Sequence, residues 1–213
     1  MAARDYGQYS GITAALDVVS ERWALLIVRD LLVGPRRYGE LAAGLPRIPS
    51  NILAARLKEL QTAGVLRRAP RSRVIVYELT DYGRELEPIV LALGAWGFKA
   101  MGEAREEQII TPDSMTIDLR TAFRPQVAAG LPATAYGARV GSAELLIRVD
   151  GSTLAVTRGE GPVDLAFAAG PGIRRLISGE IAPSRAITTG VVEVLRGERG
   201  LLDRFADTFH LAA

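Results

Sequence analysis

No cysteine occurs among the 213 residues, which excludes disulfides, thiol catalysis and thiol redox sensing. A single histidine, His210, leaves no Cys/His cluster for zinc. Long apolar runs are missing too: the best candidate span, Trp23 to Val33, is too short to cross a bilayer and contains Arg29 and Asp30. The opening segment, MAARDYGQYS, has no apolar signal-peptide core. These absences lead us to expect a cytoplasmic protein with no membrane partner. Catalytic groupings are equally scarce. Asp164 and Glu193 fall near expected strands, but no spacing pairs them as acid and base. Gly170-Pro171-Gly172 ahead of Arg174-Arg175 fits a phosphate cradle, and fits equally the punctuation of a strand-to-helix turn. His210, beside Phe209 near the end of the chain, reads as a surface or helix-end residue. Enzyme chemistry, a metal and a cofactor are therefore not expected.

What is present is a core-forming chain with an uneven charge distribution. Hydrophobic residues make up 48%, enough for one large domain or two of about 100 residues each. The net charge is only +2, yet between Gly34 and Arg73 nine bases face two acids, a local +7. From Asp113 onward eleven bases balance eleven acids. A basic block confined to one part of the chain is the footprint of a nucleic-acid binder, whereas a merely solvated face mixes its signs.

Within that block, Pro49 to Ala63 carries the pattern that organises the rest. At about 100° per residue, Leu53, Leu57 and Leu60 share one line, and Asn51, Ala55, Lys58 and Thr62 share the opposite one. Pro49 suits a helix start, Ser50 a cap, and Gly64 a stop. A helix with small polar outward residues can enter a DNA major groove, although an isolated one is more often an ordinary surface helix. Its neighbours decide between these. Ile12, Ala15, Leu16 and Val19 predict an amphipathic first helix, Glu21 to Leu32 a buried one, and Tyr38 to Ala43 a short third. Short helix, turn and outward helix form a helix-turn-helix. Val65–Arg68 and Val74–Leu79, separated by Ala69-Pro70-Arg71-Ser72-Arg73, predict a hairpin with a basic tip, which is either a DNA-contacting wing or a solvated turn. Thr80 should cap a long helix reaching Ala104, with Pro88 as a kink or a restart. The apolar face of that helix would pack on a second copy of the chain or on the chain's own second domain.

These residues resemble the HxlR-type winged-helix transcriptional regulators, relatives of the MarR group. The resemblance covers roughly Tyr9 to Trp96. It is carried by Ala15-Leu16-Asp17-Val18, Arg22-Trp23, Leu26–Leu32, Gly34-Pro35-Arg36-Arg37-Tyr38 with Glu40-Leu41, Ile48, Ser50, Leu53, Arg56-Leu57, Glu59-Leu60, Gly64, Tyr77-Glu78-Leu79-Thr80, Gly83, Leu86-Glu87-Pro88 and Trp96. It implies a homodimer joined through its first and last helices, with one recognition helix per subunit in successive major grooves of an inverted-repeat operator. Arg36, Arg37, Arg71 and Arg73 are then expected at phosphates, and Ser50, Asn51, Ala54, Ala55 and Lys58 at bases. Arg56 completes the candidate DNA-binding set, although its place on the wheel suits a phosphate or an intraprotein contact better than a base. Many members carry a cysteine near the N-terminus, where this chain has Ser10.

Residues 1–105 would form this domain, 106–113 a linker and 114–213 a second domain. The first is expected to be mainly α with a small β wing. The second should be α+β, an antiparallel sheet covered by helices. Met115 to Arg124 alternates like a strand, Ser142 to Thr157 predicts a hairpin, and Val163 to Ala168 and Val191 to Leu195 are further strands. A short helix carries Ile173, Leu176 and Ile177 and closes at Gly179, and a last helix aligns Leu201, Leu202, Phe205 and Phe209. Asp164, Leu176, Gly179, Pro183, Ala186 and Gly190-Val191-Val192-Glu193-Val194 resemble, more loosely, the C-terminal half of sterol-carrier-protein-like domains. That resemblance implies a cavity for a hydrophobic small molecule, lined by Phe123, Leu145, Ile147, Phe167, Leu176, Ile177 and Phe205; the same residues would also suit a filled core. The expected function is a DNA-binding transcriptional regulator under small-molecule control. The alternative is a carrier or scaffold protein whose winged helix mediates protein contacts.

Overall fold

A computed structural model describes residues 6–211. The chain divides into two compact units, one up to Val90 and the other from Leu91 onward. The first unit opens with α1 (Gly11–Val19), α2 (Ala24–Val33), α3 (Tyr38–Gly44) and α4 (Ser50–Thr62). The hairpin β1 (Leu66–Arg71) and β2 (Val74–Leu79) follows, then α5 (Asp81–Arg84) and α6 (Glu87–Phe98), which runs across the division. Ile27, Val28 and Leu31 of α2, Leu41 of α3 and Leu53, Leu57 and Leu60 of α4 are almost wholly excluded from water and form the core, each contributing about 1.5–3 kcal/mol by burial.

Several boundaries differ from expectation for local reasons. The second helix starts at Ala24, because Trp23 adopts a left-handed φ of 82° and Glu21–Trp23 form a turn. Ser50 is the first helical residue of α4 and caps nothing; Pro49, extended at φ −63° and ψ 142°, holds the cap position without a side-chain bond. Gly64 does end the helix, at φ 74°. Thr80 caps as expected, its hydroxyl accepting from Gly83 N–H at 3.1 Å. The long helix, however, is two: α5 stops after one turn, and Pro88 sits in the first turn of α6, where its missing N–H costs nothing. In the hairpin, β1 extends through Pro70 to Arg71 and leaves Ser72-Arg73 as a two-residue tip, Ser72 at φ 56°. Backbone bonds between Arg36 and Tyr77, 3.0 and 2.7 Å, tie the α2–α3 connection to β2.

The second unit contains α7 (Pro112–Ala122), α8 (Pro125–Ala128), β3 (Thr134–Val140), β4 (Ala143–Asp150), β5 (Thr153–Arg158), β6 (Leu165–Ala169), α9 (Ile173–Ile177), α10 (Pro183–Thr188), β7 (Val192–Gly197) and α11 (Leu201–Thr208). Two expectations are corrected. Met115 to Ala122 is helical, with Thr111 capping and Pro112 in the first turn, while Phe123 bridges to Phe209 and Arg124 precedes α8. Met115, Ile117 and Leu119 are all buried because this helix is enclosed on most sides, so its period of two was accidental. The sheet, in order β5-β4-β3-β6-β7, is mixed rather than antiparallel, since β3 and β6 run parallel with Tyr136 opposite Leu165. Between β5 and β6 the chain crosses one face of the sheet. There Gly161 lies against Leu146, where a Cβ would come within 2.9 Å, and Val163 packs over Gly137. The opposite face joins α7, α9 and α11 in one core. Phe205 is its centre, with ring centroids 5.3 Å from Tyr136, 5.1 Å from Phe167 and 4.7 Å from Phe209. Burial there pushes the Tyr136 phenol up to about 12.

Candidate nucleic-acid interface

With Leu53, Leu57 and Leu60 facing the core, α4 turns Ser50, Asn51, Ala54 and Lys58 to solvent, while Ala55 is half-buried at the margin. The start of this helix is pinned: the Tyr38 hydroxyl of α3 donates to the Ser50 carbonyl at 2.8 Å. The end is pinned as well. The Thr80 hydroxyl donates to the Gly64 carbonyl at 2.6 Å, and Thr80 N–H donates to Val65 O at 3.0 Å. A helix held at both ends presents its outer side chains in a fixed register, which direct reading of base edges requires.

Beside it, Pro35, Arg37, Arg71, Ser72, Arg73 and Val74 line an open groove between the start of α3 and the wing tip. The one acid in its wall, Glu40, accepts the Arg37 backbone N–H at 2.6 Å. Arg37 and Arg73 are exposed. Arg71 is exposed but anchored: it donates to Glu78 at 3.0 Å, while Arg67 donates to the other oxygen at 2.8 Å. These two guanidinium groups, Arg71 first, hold the Glu78 carboxyl below its usual range. Arg36 is half-buried, its guanidinium donating to the Pro35 carbonyl at 3.0 Å. Arg56 stands apart. Its side chain is only 12% exposed and pairs with Glu21 at 3.3 Å and with Glu59, so it braces α4 against the turn that precedes α2.

The structure thus gathers Arg37, Arg71 and Arg73 in one groove, sets the exposed face of α4 apart from the core, and turns Arg56 inward. Sequence reasoning missed Tyr38, Arg67 and Glu78 as positioning residues. The signal for the last two was available, because a hairpin read to its full length sets Arg67 directly across from Glu78. Ser10 caps α1 by accepting from Ile12 N–H at 3.3 Å.

The seven candidate ligand residues lie in the second unit. Leu145, Ile147, Phe167, Leu176, Ile177 and Phe205 are buried in the common core, with Phe123 packed against it. Leu145 and Phe167 also border a cavity on the crossed face of the sheet, and Ile177 borders another beside α7 and α9. Phe123, Ile147, Leu176 and Phe205 border neither. Asp164 accepts the Ala135 N–H at 2.8 Å and so secures a strand start, and His210 packs against Gly179. Among the described residues no group of three or more His, Cys, Asp or Glu could hold a metal, and no helix is long and apolar enough to cross a membrane.

Three helices, a pinned outward fourth and a basic β-hairpin define a winged helix-turn-helix, a fold that presents a helix and a hairpin to duplex DNA. The chain belongs to the HxlR-like helix-turn-helix family, whose model matches residues 18–105. It is 44% identical over 85 residues to YvaP of Bacillus subtilis strain 168, described as an uncharacterized HTH-type transcriptional regulator, which covers 38% of this chain and 79% of YvaP. It is 38% identical over 109 residues to the regulator Rv3095 of Mycobacterium tuberculosis, 50% of this chain and 63% of that protein. The crystal structure of quinone-bound YodB from B. subtilis matches 41% of this chain and 96% of its own, with 32% identity and a TM-score of 0.38.

Proposed function

We propose that the chain is a sequence-specific transcriptional regulator that binds an inverted-repeat operator as a homodimer and responds to a hydrophobic small molecule in its C-terminal, sterol-carrier-protein-like unit. The observation that carries the DNA reading is the pairing of the pinned, small-residue face of α4 with the groove of Arg37, Arg71 and Arg73. Arg36, Arg37, Arg71 and Arg73 take phosphates. Ser50, Asn51, Ala54, Ala55 and Lys58 meet base edges, and Arg56 positions the helix through Glu21 and Glu59. Dimerisation follows from apolar side chains left in water: Ile12 is 73% exposed on α1 and Trp96 74% on α6, with Ile89 and Leu93 beside the latter. A two-fold dimer sets half-sites about 10 base pairs apart.

Fluorescence anisotropy on DNA from upstream of the chain's own gene, across a salt series, tests the reading. The expected result is preference over scrambled duplex, lost with Asn51→Ala at about 1–3 kcal/mol per base contact. Arg71→Ala/Arg73→Ala should lower the salt slope by about 0.9 for each phosphate released. An absence of binding to any duplex at low salt would refute the proposal.

A further inference from the structure

The tightly packed core of the second unit leaves open where an effector would sit. Besides the hollow of about 200 Å³ on the crossed face of the sheet, the second unit has a larger cavity, of about 440 Å³, walled by α7, α9 and the strap 99–111. That volume lies within the range of pockets that hold drug-sized molecules. Its apolar wall is Phe98, Met101, Ile109, Met115, Ile173 and Ile177. Met101 and Met115 are the only methionines besides Met1, and thioethers adapt to ligands of varied shape.

The strap itself is short of cover. Met101 is 53% exposed and Ile109 56%, although both border an apolar hollow. The far end of the strap is fastened, the Ser142 hydroxyl donating to the Ile110 carbonyl at 2.9 Å, and Phe98 is buried at the near end. Between them the bonds are local, such as Gln108 N–H to Arg105 O at 2.9 Å.

The rim specifies the ligand's charge. Two bases, Arg105 and Arg174, and two acids, Glu103 and Asp118, line it. Arg174 is held by Glu180 through two bonds, 2.6 and 2.8 Å, while Arg105 makes one exposed contact with Glu107 at 3.3 Å. The two acids offset the two bases, so the rim has no net attraction for a carboxylate headgroup, and placing a charge on the apolar wall costs desolvation energy. We infer that the cavity under the strap 99–111 is the effector site of the C-terminal unit and that it takes an uncharged apolar or aromatic molecule rather than an anionic lipid. This rests on the effector reading above.

The test uses the full chain and the neutral fluorophore N-phenyl-1-naphthylamine, with DNA binding measured on the same samples. Gly102→Phe adds a ring to the strap at a position with open space, and Ile177→Trp fills the cavity from α9. Both should weaken probe binding by about tenfold or more, Gly102→Phe with an unchanged melting temperature, while Leu146→Ala, on the crossed face of the sheet, leaves it within about twofold. If Ile177→Trp fails to fold, Gly102→Phe carries the comparison alone. Dodecanol should displace the probe at lower concentration than dodecanoate. Unaltered binding in the cavity variants, loss in Leu146→Ala, stronger displacement by dodecanoate, or no probe binding would each overturn the inference. In each of those cases DNA binding, read separately, reports on the regulator function, and probe bound elsewhere in the second unit leaves the effector reading standing.

Discussion

Gly83 is the position where a single methyl group should do most damage to the DNA-binding unit. A Cβ there would lie 2.0 Å from the Val65 carbonyl oxygen and 3.2 Å from Leu79 Cδ2. Ordinary contact begins near 3.4 Å, so the backbones must part by roughly 1.4 Å. The same Val65 oxygen accepts Thr80 N–H at 3.0 Å, and the Thr80 hydroxyl joins Gly64 to Gly83. Separation therefore strains the junction of α4, the wing and α5 at once. Overpacking costs about 1–3 kcal/mol, and each lost hydrogen bond about 1 more. Gly83→Ala should accordingly cost about 3 kcal/mol or more, a large share of the ~5–15 kcal/mol that stabilises a domain. Gly39→Ala is the matched control. It lies exposed in α3 with nothing within 4 Å of a Cβ, so it should gain about 0.5–1 kcal/mol. Urea unfolding followed by tryptophan fluorescence reads both. If Gly83→Ala falls within about 1 kcal/mol of wild type, or Gly39→Ala is equally harmful, the close-approach argument fails.

Two further outcomes follow from the wing and the exposed helices. Glu78 has its carboxyl held low by Arg71 and Arg67, so its contribution to stability is fully present above about 4.5 and is lost as pH falls through the depressed value. Glu78→Gln should therefore lose less stability than wild type on acidification below that point; parallel acid-unfolding curves would refute this. Trp96→Glu should shift sedimentation from a dimer to the 22.9 kDa monomer at micromolar concentration while keeping the helical circular dichroism of the wild type. A wild type that is monomeric throughout, or a variant that remains dimeric, would contradict the assignment of this face.

Legibility in the sequence followed the range of the forces involved. The α4 face was readable because Leu53, Leu57 and Leu60 bury one stripe of a helix whose other side stays wet, the condition under which periodicity reports geometry. Met115 to Arg124 defeated the same logic because α7 is buried on several sides, so two periods fit it. Strand β3 went unseen: TAYGARV, with its glycine and alanines, has little strand preference of its own and is made a strand by its two neighbours. Its parallel pairing with β6 is a property of the crossing between β5 and β6, which no local pattern encodes. At the candidate interface the exposed residues of α4 and the basic tip were legible. The wheel already admitted an intraprotein contact for Arg56, and helix geometry alone sets Glu59 beside it; the arrival of Glu21 is specified only by the assembled fold.

Pro70 has a bearing on crowding. Among the described residues no strand lies beyond the outer edge of β1, and Pro70 offers it no N–H, while Arg67, Arg68 and Arg71 charge the same short strand. Regulators gathered along DNA meet at high local concentration, where bare strand edges tend to zip together. Two such wings would face each other with like charges and a missing donor. The hairpin can thus lie against a polyanion yet resist joining its own kind, and the arginines that suit it to the first task contribute to the second.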